Sequence, residues 1–138
     1  MAWLFVFSFL FYSLNITGFR IKGFVLCTSC LKGEPIDLIY WVIYGASVAT
    51  FLFAPQIGQW MLLLIFVLFH VVQAIFTYRF WIWPNQKKID GYNRFFANTH
   101  HIIKASNTAL VPDTFHIILF LMFFVNLIAI IVYKTGCI

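Results

Sequence analysis

The longest apolar run constrains the fold most strongly. Residues 38–78 contain no Asp, Glu, Lys or Arg, and this run is about twice as long as one transmembrane helix. It is interrupted at Ala54-Pro55-Gln56, where proline removes a backbone donor and disfavours helix at the residue before it. The run therefore predicts two antiparallel membrane helices, residues 37–53 and 57–80, joined by a very tight turn.

Two further apolar runs, residues 2–19 and 114–133, complete a set of four predicted spans. Hydrophobic residues make up 63% of the 138 residues and charged residues 9%, whereas about a quarter of an ordinary globular domain is charged. A soluble domain of this size cannot hide so much apolar surface. We therefore expect an all-α integral membrane protein, with residues 1–138 forming a single four-helix transmembrane domain.

The basic residues predict the orientation of these spans. Eight of the nine lie in the first and third loops, and only Lys134 lies on the opposite side: Arg20, Lys22, Lys32, Arg79, Lys87, Lys88, Arg94 and Lys104. Cytoplasmic loops carry such an excess, so residues 20–36 and 81–113 are predicted to be cytoplasmic and both termini non-cytoplasmic. The net charge of +5 fits this basic face. The basic residues are not interleaved with exposed aromatics along a groove, so the sequence does not indicate nucleic acid binding.

The third loop contains a second apolar pattern, at helical spacing. Its members are Tyr92, Phe95, Phe96, Ile102 and Ile103. We predict an amphipathic interfacial helix over residues 92–104, with Phe95, Phe96 and Ile103 inserted in the membrane. His101 falls on the polar face and His100 at its boundary. Neighbours on a helix point about 100° apart, so the two histidines cannot readily bind one metal ion together.

Two alternatives for the histidine pair stay open. Both side chains are explained as the wet face of the helix, or one of them serves as a ligand or proton carrier. Cys27 and Cys30 form a C-x-x-C pair, which is half of a zinc site that His100 or His101 could complete. The candidate metal ligands are therefore Cys27, Cys30, His100 and His101. Redox chemistry, lipidation and simple apolar packing are the competing interpretations of the cysteines.

His70 is the ionisable group predicted to lie deepest in the membrane, roughly 15 Å from the cytoplasmic end of its span. Ser47 and Asn126 are predicted at similar depth, so the three should face one another within the bundle. His70, Gln73 and Thr77 also form one polar stripe leading towards the cytoplasm. The stripe is explained as hydrogen bonding between helices, or as a pocket for a proton, ion or small substrate.

Asp113 and His116 begin the last span on one helix face. Asp113 follows Pro112 and is a plausible N-cap, which explains it structurally. A carboxylate that orients an imidazole also suits a general base. The candidate catalytic residues are therefore His70, Asp113 and His116. Zinc or iron is compatible with these side chains, whereas haem is disfavoured because His70 and His116 differ in depth by roughly 10 Å.

Three classes of function fit this sequence. An accessory or structural subunit of a membrane complex is favoured, because each polar residue has a structural explanation; the small residues Gly45 and Ala49 permit close helix packing, within the bundle or against a partner. The alternative is a membrane-embedded enzyme or metal-binding protein with a His/Asp site near the cytoplasmic face. A further alternative is an oligomeric transporter or channel using His70. The expected partners are the lipid bilayer and other membrane subunits or further copies of the chain, but no nucleic acid.

Overall fold

The computed structural model describes residues 1–29 and 35–136, and these are mostly helical. The elements follow in the order α1 (Ala2–Thr17), β1 (Phe19–Ile21), β2 (Phe24–Cys27), α2 (Pro35–Phe53), α3 (Pro55–Ile82), α4 (Gln86–Phe95) and α5 (Thr114–Lys134). The helix α3 contains a π-helical segment, Ala74–Tyr78.

Three helices, α2, α3 and α5, are long and apolar enough to cross a membrane. The helix α1 is also apolar but has 16 residues, slightly fewer than an ordinary span needs. Pro55 stands at the first position of α3, where its missing N–H is not required, so one residue, Ala54, separates α2 from α3. The three long helices indicate an integral membrane protein that crosses the bilayer more than once.

The helices pack around an aromatic core. The rings of Phe5, Tyr44, Phe66 and Phe123 are fully buried and come from α1, α2, α3 and α5 respectively. Tyr44 and Phe66 meet edge to face with centroids 5.6 Å apart, and Phe66 and Phe123 do so at 5.5 Å. Such pairs add about 0.5–1.5 kcal/mol each beyond the area they bury. The core thus joins α1 to the three long helices α2, α3 and α5.

The first loop contains β structure, which an all-α fold would not have. It contains an antiparallel hairpin of β1 and β2, in which Arg20 pairs with Val25 and Ile21 with Phe24. Lys22 and Gly23 form its turn with φ of 45° and 90°, the two positive values that a tight two-residue hairpin needs. The expectation of an all-α fold is therefore wrong at this point.

The predicted helix over residues 92–104 is also wrong in its boundaries. The helix α4 begins earlier, because the side chain of Asn85 caps it by accepting from Lys88 N–H at 3.2 Å, and it ends at Phe95. The Thr99 hydroxyl and N–H both donate to the Phe96 carbonyl and close a turn there. Residues 96–113 then run without regular structure.

The two ends of the bundle carry different connecting segments. We call the end that carries the hairpin, α4 and residues 96–113 the loop end, and the end that carries Ala54 the turn end. The C-terminal ends of α1 and α3 and the N-terminal ends of α2 and α5 meet at the loop end. At the turn end, Lys134 lies over the ring of Trp60.

Candidate functional site

A cavity of about 850 Å³ lies between the helices and reaches from the loop end towards the middle of the bundle. That volume is within the range of small-molecule sites, roughly 300–1,000 Å³. The helices α1, α2, α3, α4 and α5 all contribute to its wall. The apolar residues of the wall include Ile43, Leu64, Ile65, Leu68, Phe69, Val72, Leu119 and Phe120. The depth of the cavity is therefore apolar.

Polar groups gather where the helices meet at the loop end. Those lining the cavity are Tyr12, Asn15, Thr28, Asp37, Tyr40, Gln73, Thr77, Tyr92 and His116. Ser47, deeper on α2, also lines it. An apolar body with a polar mouth is the shape expected of a site for a molecule with one polar end.

The cavity is bordered by exposed side chains of α2 and α3. Ile36 and Ile43 on α2, and Leu64 and Leu68 on α3, line the cavity and are also exposed on the outer surface of the bundle. For helices that cross a membrane, this outer surface faces acyl chains. The cavity therefore borders the outer surface of the bundle along α2 and α3.

Asp113 and His116 form the clearest chemical pair at the cavity. Asp113 is fully buried at the N-cap of α5, and its Oδ1 accepts from the His116 N–H at 3.0 Å and pairs with His116 Nδ1 at 2.5 Å. Cap geometry brings positions three apart together, so this contact is local and was predicted from the sequence. With Nδ1 donating to the carboxylate, Nε2 is the nitrogen left to act as a base.

The charge of Asp113 is favoured by its surroundings. Burial alone would raise the pKa of this carboxyl, but the hydrogen bonds and charge of His116, with a smaller contribution from Thr99, outweigh it and hold the pKa below its ordinary value. The rings of Phe96 and Phe120 lie 5.0 and 6.0 Å from the His116 ring. An ionised carboxylate therefore orients an imidazole in a mostly aromatic surrounding.

Tyr92 links α4 to this pair. Its hydroxyl accepts from the Asp113 N–H at 3.3 Å, and its ring lines the cavity. Burial, and then the charge of Asp113, raise the pKa of Tyr92 well above its ordinary value, so the phenol keeps its proton at neutral pH. Sequence reasoning missed Tyr92 as a site residue, because only the packing of α4 brings it to Asp113.

The histidine pair does not converge on one point. The His100 N–H donates to the Val25 carbonyl at 2.7 Å, and His100 Nδ1 lies 2.8 Å from Thr114 Oγ1, so this residue joins the hairpin to the start of α5. His101 is half-buried and donates from Nε2 to the Phe96 carbonyl at 3.1 Å. Neither histidine lines the cavity.

The possible metal ligands are only partly described. Cys27 is buried, and its thiol lies 3.6 Å from Asn15 Oδ1. Cys30 lies outside the described residues. Within residues 1–29 and 35–136, no three or more His, Cys, Asp or Glu side chains are grouped as a metal site requires. The C-x-x-C zinc site therefore stays a prediction.

His70 is separated from the rest of its predicted stripe. Phe69 occupies the core-facing position, 4.4 Å from Phe123, and the next residue is rotated by about 100°. His70 Nδ1 instead lies 3.4 Å from the Tyr78 hydroxyl. Thr77 donates to Gln73 at 2.7 Å, and both of these line the cavity, whereas His70 does not.

The predicted contact among His70, Ser47 and Asn126 does not form in the described part of the chain. Ser47 donates to the Ile43 carbonyl of its own helix at 2.8 Å, so it needs no partner on another helix. Asn126 is fully buried, and neither atom of its amide has a hydrogen-bond partner among the described residues. Ser8 on α1 is also fully buried and was missed, since it too donates within its own helix, to Leu4.

Asp37 is the second site residue that sequence reasoning missed. It lies in the first turn of α2, lines the cavity and accepts from the Tyr12 hydroxyl at 3.3 Å. The chain has four acidic residues, and two of them, Asp37 and Asp113, stand at the start of predicted spans. That scarcity was the signal that could have directed attention to Asp37.

No protein-family model, curated protein or solved structure matches this chain.

Proposed function

We propose that this protein is a membrane-embedded enzyme that binds a lipophilic molecule in the cavity and uses His116 as a general base. The observation that carries the proposal is that His116, oriented by Asp113, forms part of the wall of a cavity whose other end is apolar. His116 lies among the polar groups of the mouth, so a substrate whose apolar body fills the cavity would present its polar end to this base. Without a strong nucleophile in the described wall, His116 would act by removing a proton from the substrate or from water.

We further propose that α1 is a fourth span, which supports the same site. It runs antiparallel to α2 over most of its length, with ring contacts between Phe5 and Phe51 at 5.2 Å and between Tyr12 and Tyr40 at 5.3 Å. The helix is about 24 Å long against a hydrocarbon thickness of about 30 Å, a mismatch that local thinning of the bilayer or snorkelling of flanking side chains accommodates. The loop end would then face the cytoplasm, with both termini opposite.

The competing proposal is an accessory or structural subunit. One observation favours it: Phe95, Ile102 and Ile103 are exposed and lie outside the long helices, so they offer an apolar patch to a partner or to the membrane interface. The small residue Gly45 does not support the subunit proposal. A Cβ on Gly45 would lie 2.9 Å from the Phe9 ring, so this small residue serves packing inside the bundle. The transporter alternative relied on His70, which is not part of the described cavity wall.

The binding step is tested by filling the cavity. Leu68→Trp adds bulk at its wall, whereas Leu121→Trp adds the same bulk on an exposed face of α5 that does not line the cavity. Each variant is purified in nanodiscs, and its bound lipophilic molecules are extracted and identified by mass spectrometry. We expect Leu68→Trp to lose a molecule that the parent and Leu121→Trp both retain.

The catalytic step is tested in the same preparation with His116→Asn, which keeps a donor for Asp113 but removes the base. General bases contribute about 10²–10⁴-fold to a rate, so this variant should retain unconverted substrate that the parent has depleted. Equal extracts from the parent and both tryptophan variants would exclude the binding proposal. If the parent co-purifies with a second protein and with no lipophilic molecule, the subunit proposal is favoured instead.

A further inference from the structure

The cavity wall carries one carboxylate, Asp37, and no lysine or arginine in the part of the chain that the structure describes. Its ionisable lining residues are Asp37, Tyr12, Tyr40, Tyr92 and His116. The basic residues of α3, α4 and the loop end are exposed and absent from the described wall: Arg20, Lys22, Arg79, Lys87, Lys88, Arg94 and Lys104. An anionic headgroup would therefore enter a mouth that offers it a carboxylate and no lysine or arginine among these residues.

Aromatic rings surround the Asp37 end of this mouth. The Tyr12 hydroxyl donates to Asp37 at 3.3 Å, and the Tyr12 and Tyr40 rings meet with centroids 5.3 Å apart. Phe69 continues the row at 6.2 Å from Tyr40. All three rings line the cavity. Aromatic faces attract cations through their quadrupole, and sites that bind quaternary ammonium groups use such rings.

The hydroxyl of Tyr40 is engaged elsewhere, which separates the role of its ring from that of its oxygen. It donates to the Ile65 carbonyl on α3 at 3.1 Å. The ring therefore remains the part of Tyr40 that can contact a ligand. Beside it, Ile43 and Leu64 begin the apolar depth of the cavity.

We propose that the ligand of this cavity is a lipophilic cation, a molecule with an ammonium or similar onium head on a hydrophobic body. The head lies against Asp37 beside the Tyr12 and Tyr40 rings, and the body extends along the cavity wall formed by α2 and α3. The proposal rests on the proposed function in one respect, since it takes the cavity to be the ligand site. Charge complementarity with Asp37 decides the class of ligand.

The experiment measures binding of tetraphenylphosphonium by equilibrium dialysis, with the full chain in phosphatidylcholine nanodiscs and protein-free nanodiscs as the blank. Asp37→Asn should weaken binding at least about tenfold, because it removes the charge but keeps an acceptor for Tyr12. Asp90→Asn is the matched control, since Asp90 is exposed and outside the cavity wall. Tyr40→Leu should bind several-fold more weakly than Tyr40→Phe, because phenylalanine keeps the aromatic face.

Uncharged triphenylphosphine oxide is the neutral competitor of similar shape. If it binds as tightly as the cation, or if Asp37→Asn keeps the affinity of the parent, the cation proposal is overturned while the cavity remains a ligand site. If neither probe binds and Leu68→Trp retains the same lipophilic molecules as the parent, both proposals fail. Binding that appears only after Lys32→Gln would also overturn the inference, because Asp37 would then be neutralised within the chain. The tyrosine pair keeps the test valid should Asp37→Asn fail to fold.

Discussion

Asp113 performs two tasks with one oxygen atom. Its Oδ1 caps the backbone of α5 and also holds the imidazole of His116. Asparagine caps a helix about as well as aspartate does, so the backbone task tolerates substitution. The second task favours a negative charge, because a hydrogen bond from Nδ1–H to an ionised carboxylate is stronger than one to a neutral amide. The choice of aspartate over asparagine at this position is therefore explained by His116.

Asp113→Asn should lower stability in a manner that depends on pH. The pKa of this carboxyl is below its ordinary value of 3.8 in the folded state, so the folded protein binds the proton less readily than the unfolded chain. The resulting stabilisation is complete above pH 3.8 and is lost as the pH falls through the folded pKa. We expect a loss of about 1.5–3 kcal/mol for Asp113→Asn at pH 6, as for hydrogen bonds to a charged group.

The measurement is thermal unfolding in detergent between pH 6 and pH 3. The difference between parent and Asp113→Asn should shrink as the pH drops below 3.8. Asp90→Asn, on the exposed face of α4, should follow the parent throughout. A difference between parent and Asp113→Asn that is equal at both ends of this range would show that the charge of Asp113 does not stabilise the fold.

At the level of elements, a helix or strand could be predicted when its own sequence determines it, and could not when contacts with distant residues do. The long helices were recognisable because apolar length accumulates over many residues, and a single proline divides α2 from α3. The hairpin was missed because its strands are short and depend on the two positive φ angles at Lys22 and Gly23. The prediction of a helix over residues 92–104 was wrong because hydrophobic spacing carries no information about tertiary hydrogen bonds. In the structure the His100 N–H donates to the Val25 carbonyl and not to a carbonyl of its own helix.

The candidate site divides in the same way. Asp113 and His116 are three positions apart on one helix, so their contact could be predicted. Asp37, Tyr12 and Tyr92 reach the cavity from three different helices, and their convergence depends on how those helices pack. His70 was misjudged because depth in a span does not determine which way a side chain points. Packing of Phe69 against Phe123 fixes that direction.

Gly58 should be the least replaceable glycine of the bundle. A Cβ there would lie 2.2 Å from both the Cα and the N of Phe51, so the backbones of α2 and α3 would have to separate. Overpacking of this kind costs about 1–3 kcal/mol, and we expect Gly58→Ala to reach the upper end. Gly91→Ala is the matched control, because a Cβ at that position meets nothing within 4 Å.

Unfolding midpoints in a titration with denaturing detergent compare the two alanine variants. Gly91→Ala should be neutral or more stable by about 0.5–1 kcal/mol, since alanine favours a helix interior. Equal midpoints for Gly58→Ala and the parent would mean that α2 and α3 do not approach one another as closely as the structure has them.

At the scale of the whole molecule, three features meet at the loop end. It carries the exposed basic residues of the hairpin and α4, the polar mouth of the cavity, and the Asp113–His116 pair. Exposed basic residues therefore lie at the same end of the molecule as a mouth whose described lining holds the Asp37 carboxylate, His116 and aromatic rings. If the ligand is the proposed cation, anionic lipid headgroups would be drawn to the surface but would not enter the cavity. This separation of charge is consistent with a protein that is anchored by anionic lipids but acts on a different class of molecule.

The orientation of the molecule is predicted by the same basic residues and is tested with single cysteines. In a background with Cys27, Cys30 and Cys137 replaced by serine, cysteine is placed at Lys22 or Lys104 at the loop end, and at Ala2, Gln56 or Thr135 at the turn end. A membrane-impermeant maleimide applied from one side of sealed vesicles should label the first two from the cytoplasmic face and the other three from the opposite face. Leu121→Cys, exposed on the apolar face of α5, should react from neither side. Labelling of positions 2 and 22 from the same side would mean that α1 does not cross the membrane. Labelling of positions 22 and 104 from opposite sides would contradict the common loop end itself.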